Sequence, residues 1–198
     1  GGSLIFLSND GIRPVAGTDK INDVELGLLS GEIQDTIDYF TTQNDLRYVN
    51  GVVIRKKTQF RYFFSDDSYS VATSEGLLGS VRIHREAGAV HRWEFSNLYG
   101  IRSSACWSGM LNTSEIVVHG DYDGKVYRQE SGNSFNGSDI TAIYSSPYLD
   151  MGDTEIRKQL RELVLFTKTE GTVSVTLSTR FDWGRADVQN PAAYSIDV

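Results

Sequence analysis

The chain has 198 residues, 39% hydrophobic and 11% aromatic, enough to bury a sizeable core and too apolar for disorder throughout. Its formal charge of −7 argues against a surface built to grip phosphates, which is usually basic. One cysteine, Cys106, excludes an internal disulfide, and no apolar run approaches the roughly 20 residues of a membrane-spanning helix.

Nineteen glycines against three prolines, with abundant Ser, Thr, Val and Tyr, favour β structure with many turns. Gly1-Gly2-Ser3 reads as a linker or expression scar, and the chain as a piece of something longer. Residues 4–15 read as an apolar strand, an Asp10-Gly11 turn and a returning strand. Residues 30–43 carry Ile33, Ile37 and Phe40 at helical spacing, with Glu32, Asp35 and Asp38 in the first turns and Ser30 as the N-cap. This predicts a short amphipathic helix between strands at 24–29 and 52–55, packed on its own domain. Residues 60–71 read as a second hairpin, turning at Asp67-Ser68. Strands follow at 77–84 and 90–95, with Gly88 in the turn between them, and at 101–107. Residues 114–128 form a third hairpin: Ile116, Val117 and Val118 are β-branched, and Asp123-Gly124 offers the positive φ of a two-residue turn.

The three turns, at 10, 67 and 123, lie about 56 residues apart. Constant spacing of one supersecondary unit marks a repeat architecture, and several strands per period of this length point to β-propeller blades. After Ile140 the composition changes. Residues 143–151 look like an extended crossing segment, and 154–160 are ambiguous between a helical turn and a loop. Residues 163–168 and 173–180 give the clearest hairpin pattern, joined by Thr169-Glu170-Gly171, with Val173, Val175 and Leu177 alternating with polar residues.

The candidates for chemistry are sparse. His84, His91 and His119 lack the spacing of a metal site, although His84 and His91 could meet across a hairpin; polar strand positions are the plainer reading. Asp121-Tyr122-Asp123-Gly124 opens like a calcium loop but lacks the third ligand position and the distal Glu, and a turn needs the same residues. Asp66-Asp67 has the same explanation. Cys106 beside Trp107 reads as buried packing; as a nucleophile it would need His119. Phe60, Tyr62, Phe63, Phe64, Trp93, Phe95, Tyr99 and Trp107 could make a sugar-binding platform, but strand positions favour core. Paired carboxylates for glycoside hydrolysis are not identifiable from sequence. No catalytic residue, metal or cofactor is assigned.

Several short runs occur in a familiar order: Gln59-Phe60-Arg61-Tyr62-Phe63-Phe64-Ser65-Asp66, then His119 through Arg128, then Phe135-Asn136-Gly137-Ser138-Asp139-Ile140. Ser146-Pro147-Tyr148-Leu149-Asp150-Met151-Gly152 and Arg157-Lys158 follow, with Asn9-Asp10-Gly11-Ile12-Arg13-Pro14-Val15 and Asp23-Val24-Glu25-Leu26-Gly27 ahead of them. The succession resembles the tail nozzle (tail tube) and DNA-stabilisation proteins of short-tailed bacteriophages. The resemblance implies a non-enzymatic, β-propeller-bearing virion protein of the tail. It would assemble as a ring-shaped, sixfold homo-oligomer around the DNA channel, beside other tail, adaptor or portal proteins. DNA would pass through without specific binding. Full subunits of that kind are much longer, and three apparent blades are too few to close a propeller.

The expectation is therefore a mainly β protein of propeller-like blades over 1–140, with a helix inserted near 30–43, and a C-terminal β-hairpin or sandwich portion over 141–198, itself incomplete. The alternatives are a propeller module recognising a glycan or receptor and, behind it, a carbohydrate hydrolase.

Overall fold

A computed structural model describes residues 4–8, 10–15, 29–44, 46–84, 90–153, 156, 158–168 and 172–197, with backbone alone for 82–84 and 90–92. The strand expected at 24–29 and the turn at Gly88 lie mostly outside these residues, as does the Asp23–Gly27 run. The chain divides into two compact units, Gly1–Ser131 and Gly132–Val198, so the division falls ahead of the boundary expected after residue 140.

The first unit is mainly antiparallel β. Strands β1 (Ile5–Ser8) and β2 (Gly11–Pro14) form a hairpin. Helix α1 (Gln34–Gln43) follows, entered through a 3-10 turn at Gly31–Ile33. Strands β3 (Asn50–Ile54), β4 (Gln59–Phe63), β5 (Glu75–His84) and β6 (Val90–Tyr99) make a four-stranded meander. Strands β7 (Ala105–Leu111), β8 (Ser114–Gly120) and β9 (Val126–Gln129) make a three-stranded one.

The alternation in Gln59-Phe60-Arg61-Tyr62-Phe63-Phe64 explains why layers form on both sides of the central sheet. Successive strand residues point to opposite faces. Phe60 and Phe64 join Ile12, Ile37, Phe40 and Leu77 in one core, beneath α1 and the first hairpin. Phe40 stacks on Phe64 at 4.4 Å between ring centroids. Phe63 faces the other way and joins Val52, Ile54, Ile101 and Val117 in a second core, between the two meanders. The periodic residues of α1 thus do what their spacing predicts: Ile37 and Phe40 are buried while Asp35 and Asp38 face outward. The helix ends where Asn44 turns extended and its side-chain amide donates to the Phe40 carbonyl, 3.1 Å.

Several expectations need correcting. Ser30 makes no cap hydrogen bond; its buried hydroxyl instead accepts the Ile12 N–H at 3.0 Å, tying the helix entry to β2. Gly11 does not belong to the first turn: it pairs with Ser8 and opens β2 at φ 141°. The arm expected at 69–71 is not a strand. Asp66 accepts from the Ser68 N–H and hydroxyl, and Ser70 caps a 3-10 turn at Val71–Thr73. Local side-chain bonds of this kind compete with ladder formation, so the return is delayed to β5. Residues 101–104 are a crossing, and the strand begins only at Ala105.

The third hairpin forms as expected, with a different turn. Asp121 N–H donates to Lys125 O at 2.9 Å and Gly124 N–H to Asp121 O at 3.2 Å, with Gly124 at φ 80°. This is a three-residue loop ending on a left-handed glycine. Trp107 is 56% exposed, so the buried packing expected of that pair does not hold for it, whereas Cys106, half-buried, packs against the second core. The two point to opposite faces, and the indole lies over Gly109, where any Cβ would strike it.

The described residues form no closed propeller, only separate antiparallel sheets. The loops carrying Asp67 and Asp123 do share a topological position: each joins the second and third strands of its meander. The Asp10 turn belongs to an isolated two-stranded hairpin.

In the second unit, residues 143–150 lie outside any helix or sheet, and Met151, expected to end an extended crossing segment, sits in a turn at φ 50°. The hairpin of 163–168 with 173–180 is not formed. Strand β10 (Ser174–Leu177) pairs with β11 (Tyr194–Asp197) instead, with Val175 opposite Ile196 and Leu177 opposite Tyr194. The tail Tyr194-Ser195-Ile196-Asp197 alternates apolar and polar residues as β10 does, whereas residues 163–166 are apolar at every position. Residues 158–168 run exposed and unpaired among the described residues. Tyr148 and Trp183 pack at 5.4 Å between ring centroids, over Gly184.

Candidate functional site: the seam between the two meanders

The best-ordered polar constellation lies where the two meanders meet. Asn50, opening β3, donates to the Ser103 carbonyl at 2.6 Å, and the buried Ser103 hydroxyl donates back to Asn50 Oδ1 at 2.8 Å. The Ser108 hydroxyl donates to the Val53 carbonyl at 2.5 Å. Glu115, at the far end of β8, accepts the backbone N–H groups of Arg55 and Lys56 at 2.9 and 2.8 Å. Those two bonds hold its carboxyl below the usual carboxylate range.

Arg61 is the centre of this seam. Its guanidinium is buried and donates to Gln129 Oε1 at 2.8 Å and to Glu130, which also receives Lys57. Burial pushes the Glu130 carboxyl up, but the hydrogen bonds from Lys57 and Arg61 outweigh it and leave the group lowered. Gln129 passes the network on to His119 Nδ1 at 3.1 Å. His119 is stacked between Phe63 and Tyr127, at 6.4 and 5.4 Å. Burial lowers its pKa, against the opposing pull of Asp121. In this seam one carboxylate, Glu130, bridges two cations, Arg61 and Lys57.

A second constellation fastens the two equivalent loops. Arg102 donates to Asp121 at 2.5 Å and to the Tyr69 carbonyl at 2.9 Å, and its guanidinium lies 5.9 Å from the centre of the Tyr122 ring. One side chain therefore grips the loop after β4 and the loop after β8. The hydrogen bond that Arg102 donates to Asp121 raises its pKa further.

The residues singled out for chemistry distribute as follows. Cys106 and His119 are direct cross-strand partners, so the register does bring the conceivable nucleophile and base opposite each other. No hydrogen bond joins them, His119 Nδ1 is engaged by Gln129, and burial pushes the Cys106 thiol up to about 11. A thiol in that state is packing, not an activated nucleophile. His84 is paired in register with Val90 and His91 with Ile83, so the two histidines are not cross-strand partners. Asp121 and Asp123 are spent on the loop: Asp121 on Arg102 and the Tyr122 N–H, Asp123 on Lys125 and Tyr127. Among the described residues no group of three or more His, Cys, Asp or Glu could hold a metal ion.

The aromatics split. Phe60, Phe63 and Phe64 are core, with Tyr62, Trp93 and Phe95 packed against Phe60. Tyr99 and Trp107 are exposed. Sequence reading missed Arg61, Arg102 and Glu115 as organising residues. Charged residues in strands and loops look solvated until tertiary packing supplies their partners 19 to 69 positions away.

No protein-family model matches the chain, and neither a curated protein nor a solved structure is recognisably similar to it.

Proposed function

We propose that the chain is a structural component of a bacteriophage tail, of the nozzle, tube or DNA-stabilisation kind, forming part of the DNA conduit and catalysing nothing. The supporting observation is the pair of successive meanders in the first unit, one of four strands and one of three. Two successive antiparallel meanders carry their Asp-containing loops at the same topological position, and Arg102 joins those loops. In this reading each meander is a propeller-type blade and the Arg61 and Glu115 struts fix neighbouring blades. The formal charge of −7 suits a conduit, because an acidic surface repels phosphates over a Debye length of about 10 Å at 0.1 M salt. The assembly is a ring of identical subunits, sixfold by resemblance, contacting other tail, adaptor or portal proteins within the virion.

Electron microscopy of the purified chain, with mass measurement, tests the reading. Closed rings support it; a strictly monomeric protein that never enters virions would sink it. Subunit contacts are expected to involve the segment 30–43 or 163–180. Reversing the charges of Glu32, Asp35 and Asp38 together, on the side of α1 away from Ile37 and Phe40, should then weaken assembly without unfolding the first unit. Unchanged sedimentation would remove the helix from the interface.

One observation favours a second reading, a module recognising a glycan or receptor. Trp107 presents its indole flat across Gly109, more than half exposed, in the manner of an aromatic platform for a sugar ring. Glycan-array binding lost in Trp107→Ala would favour that module, and the absence of any binding would dismiss it.

A further inference from the structure

The second meander buries one face and leaves the other to solvent. Val117 and Gln129, paired across β8 and β9, are buried, and Val117 belongs to the core between the meanders. Their chain neighbours point the opposite way. The register sets Trp107, Val118 and Arg128 in one row across β7, β8 and β9 on that outward face, with Gly109 opposite Ile116 beside it.

Two side chains of this row are unspent. The Trp107 indole rests where a Cβ on Gly109 would stand, so the glycine lets the ring settle against the sheet. The residue is nevertheless 56% exposed: one side of the ring covers backbone and the other meets water. Arg128 is exposed as well, and among the described residues its guanidinium has no hydrogen-bond or ion-pair partner. Arg13, Arg61 and Arg102 each hold a carboxylate of the chain. On a chain of formal charge −7, a cation left without one, beside an open aromatic face, complements an anion from outside.

Geometry and chemistry narrow that anion. Adjacent strands lie about 4.8 Å apart, which sets the backbones of Trp107 and Arg128 about 10 Å from one another. Half-buried Val118 is the floor between them. The negative face of an indole attracts the C–H groups of a sugar ring, and a guanidinium takes a carboxylate through two parallel N–H bonds. A nucleic acid suits the row poorly, because successive phosphates would meet one cation on an acidic chain. We propose that the outer face of the second meander binds an acidic saccharide, a pyranose ring stacked on Trp107 with its carboxylate paired to Arg128. This assignment rests on the glycan-recognition reading above and names the class of glycan.

The full chain is titrated with oligosaccharides ending in a uronic acid and, in a separate arm, in a sialic acid. Beside each stands its neutral counterpart, with the carboxylate reduced to the alcohol, and a single-stranded oligonucleotide serves as the competing polyanion. At least one acidic arm should bind about tenfold or more tighter than its reduced counterpart, and added salt should weaken it. Arg128→Gln should abolish that preference and leave the weak neutral binding in place. Trp107→Ala should remove both, and Trp107→Phe, which keeps an aromatic ring should the alanine variant unfold, should retain part of each. Acidic and neutral sugars bound equally through Trp107 would overturn the acidic assignment and leave the glycan reading standing. So would an acidic preference that survives Arg128→Gln. Tighter binding of the oligonucleotide would overturn the saccharide in favour of a polyanion. No binding in any arm by the folded chain would overturn both the assignment and the glycan reading.

Discussion

Asp10 and Ser30 illustrate how a single polar side chain takes its role from tertiary context. Asp10 flanks a turn, but its carboxylate holds the buried Arg13 guanidinium at 2.6 Å, which lowers its pKa to about 2. A carboxylate whose folded pKa is depressed contributes stability above its unfolded value, about 3.9, and loses it as pH falls through the folded value. The contribution of Asp10 should therefore disappear between about pH 4 and pH 2. Asp10→Asn should be less stable than the parent at neutral pH, and the gap should close on acidification; denaturant melts across that range read it directly. Ser30→Ala removes the acceptor of a buried N–H on Ile12, leaving a donor unsatisfied at a cost of about 1–3 kcal/mol. A melt unchanged by this substitution would show that the tie between α1 and β2 is dispensable. Neither role was read from the sequence, where Asp10 reads as turn and Ser30 as cap: Ile12 reaches Ser30 across 18 positions, and Arg13, only three positions from Asp10, is set beside it by the β1–β2 hairpin.

At the scale of elements, apolar periodicity was a sound guide wherever a segment had one dry face and a competing pairing was lacking. The 3.6-residue spacing of Ile33, Ile37 and Phe40 became α1, and the β-branched run at 116–118 became β8. Turn chemistry was less transferable. Asp-Gly and Asp-Ser marked where the chain reverses but not how many residues the reversal takes, since side-chain bonds at Asp66 and Ser70 reset one loop and Gly124 another. Cross-strand glycines were invisible to pattern reading and matter for the sheet. Gly79 faces Phe60 across the ladder, and a Cβ there would collide with that buried ring. Gly79→Ala should cost about 1–3 kcal/mol by overpacking, measured as a fall in denaturant midpoint with unchanged slope. A midpoint shift within error would mean that the Phe60 ring moves freely, against its place in the first core.

For the molecule as a whole, both buried cores lie within the first unit. A chain ending at Ser131 should therefore keep a cooperative thermal transition, while 132–198 alone should show none below assembly concentrations. A cooperative melt of the isolated second unit would contradict its lack of buried residues. This asymmetry also bears on the candidate site. The seam struts of Arg61, Glu115 and Arg102 all belong to the first unit, whereas the exposed apolar run Leu163, Val164, Leu165 and Phe166 belongs to the second.

The amino-acid sequence by itself determined the β class and the inserted helix. These follow from residue periodicity and composition, which act over a few neighbouring positions. Only the tertiary structure decided which strands pair, which charged residues organise the seam, and that Cys106 and His119 face each other without coupling. Strand partners are chosen over long range: β10 pairs with β11, about 20 positions on, rather than with the apolar run at 163–166 nearer in sequence.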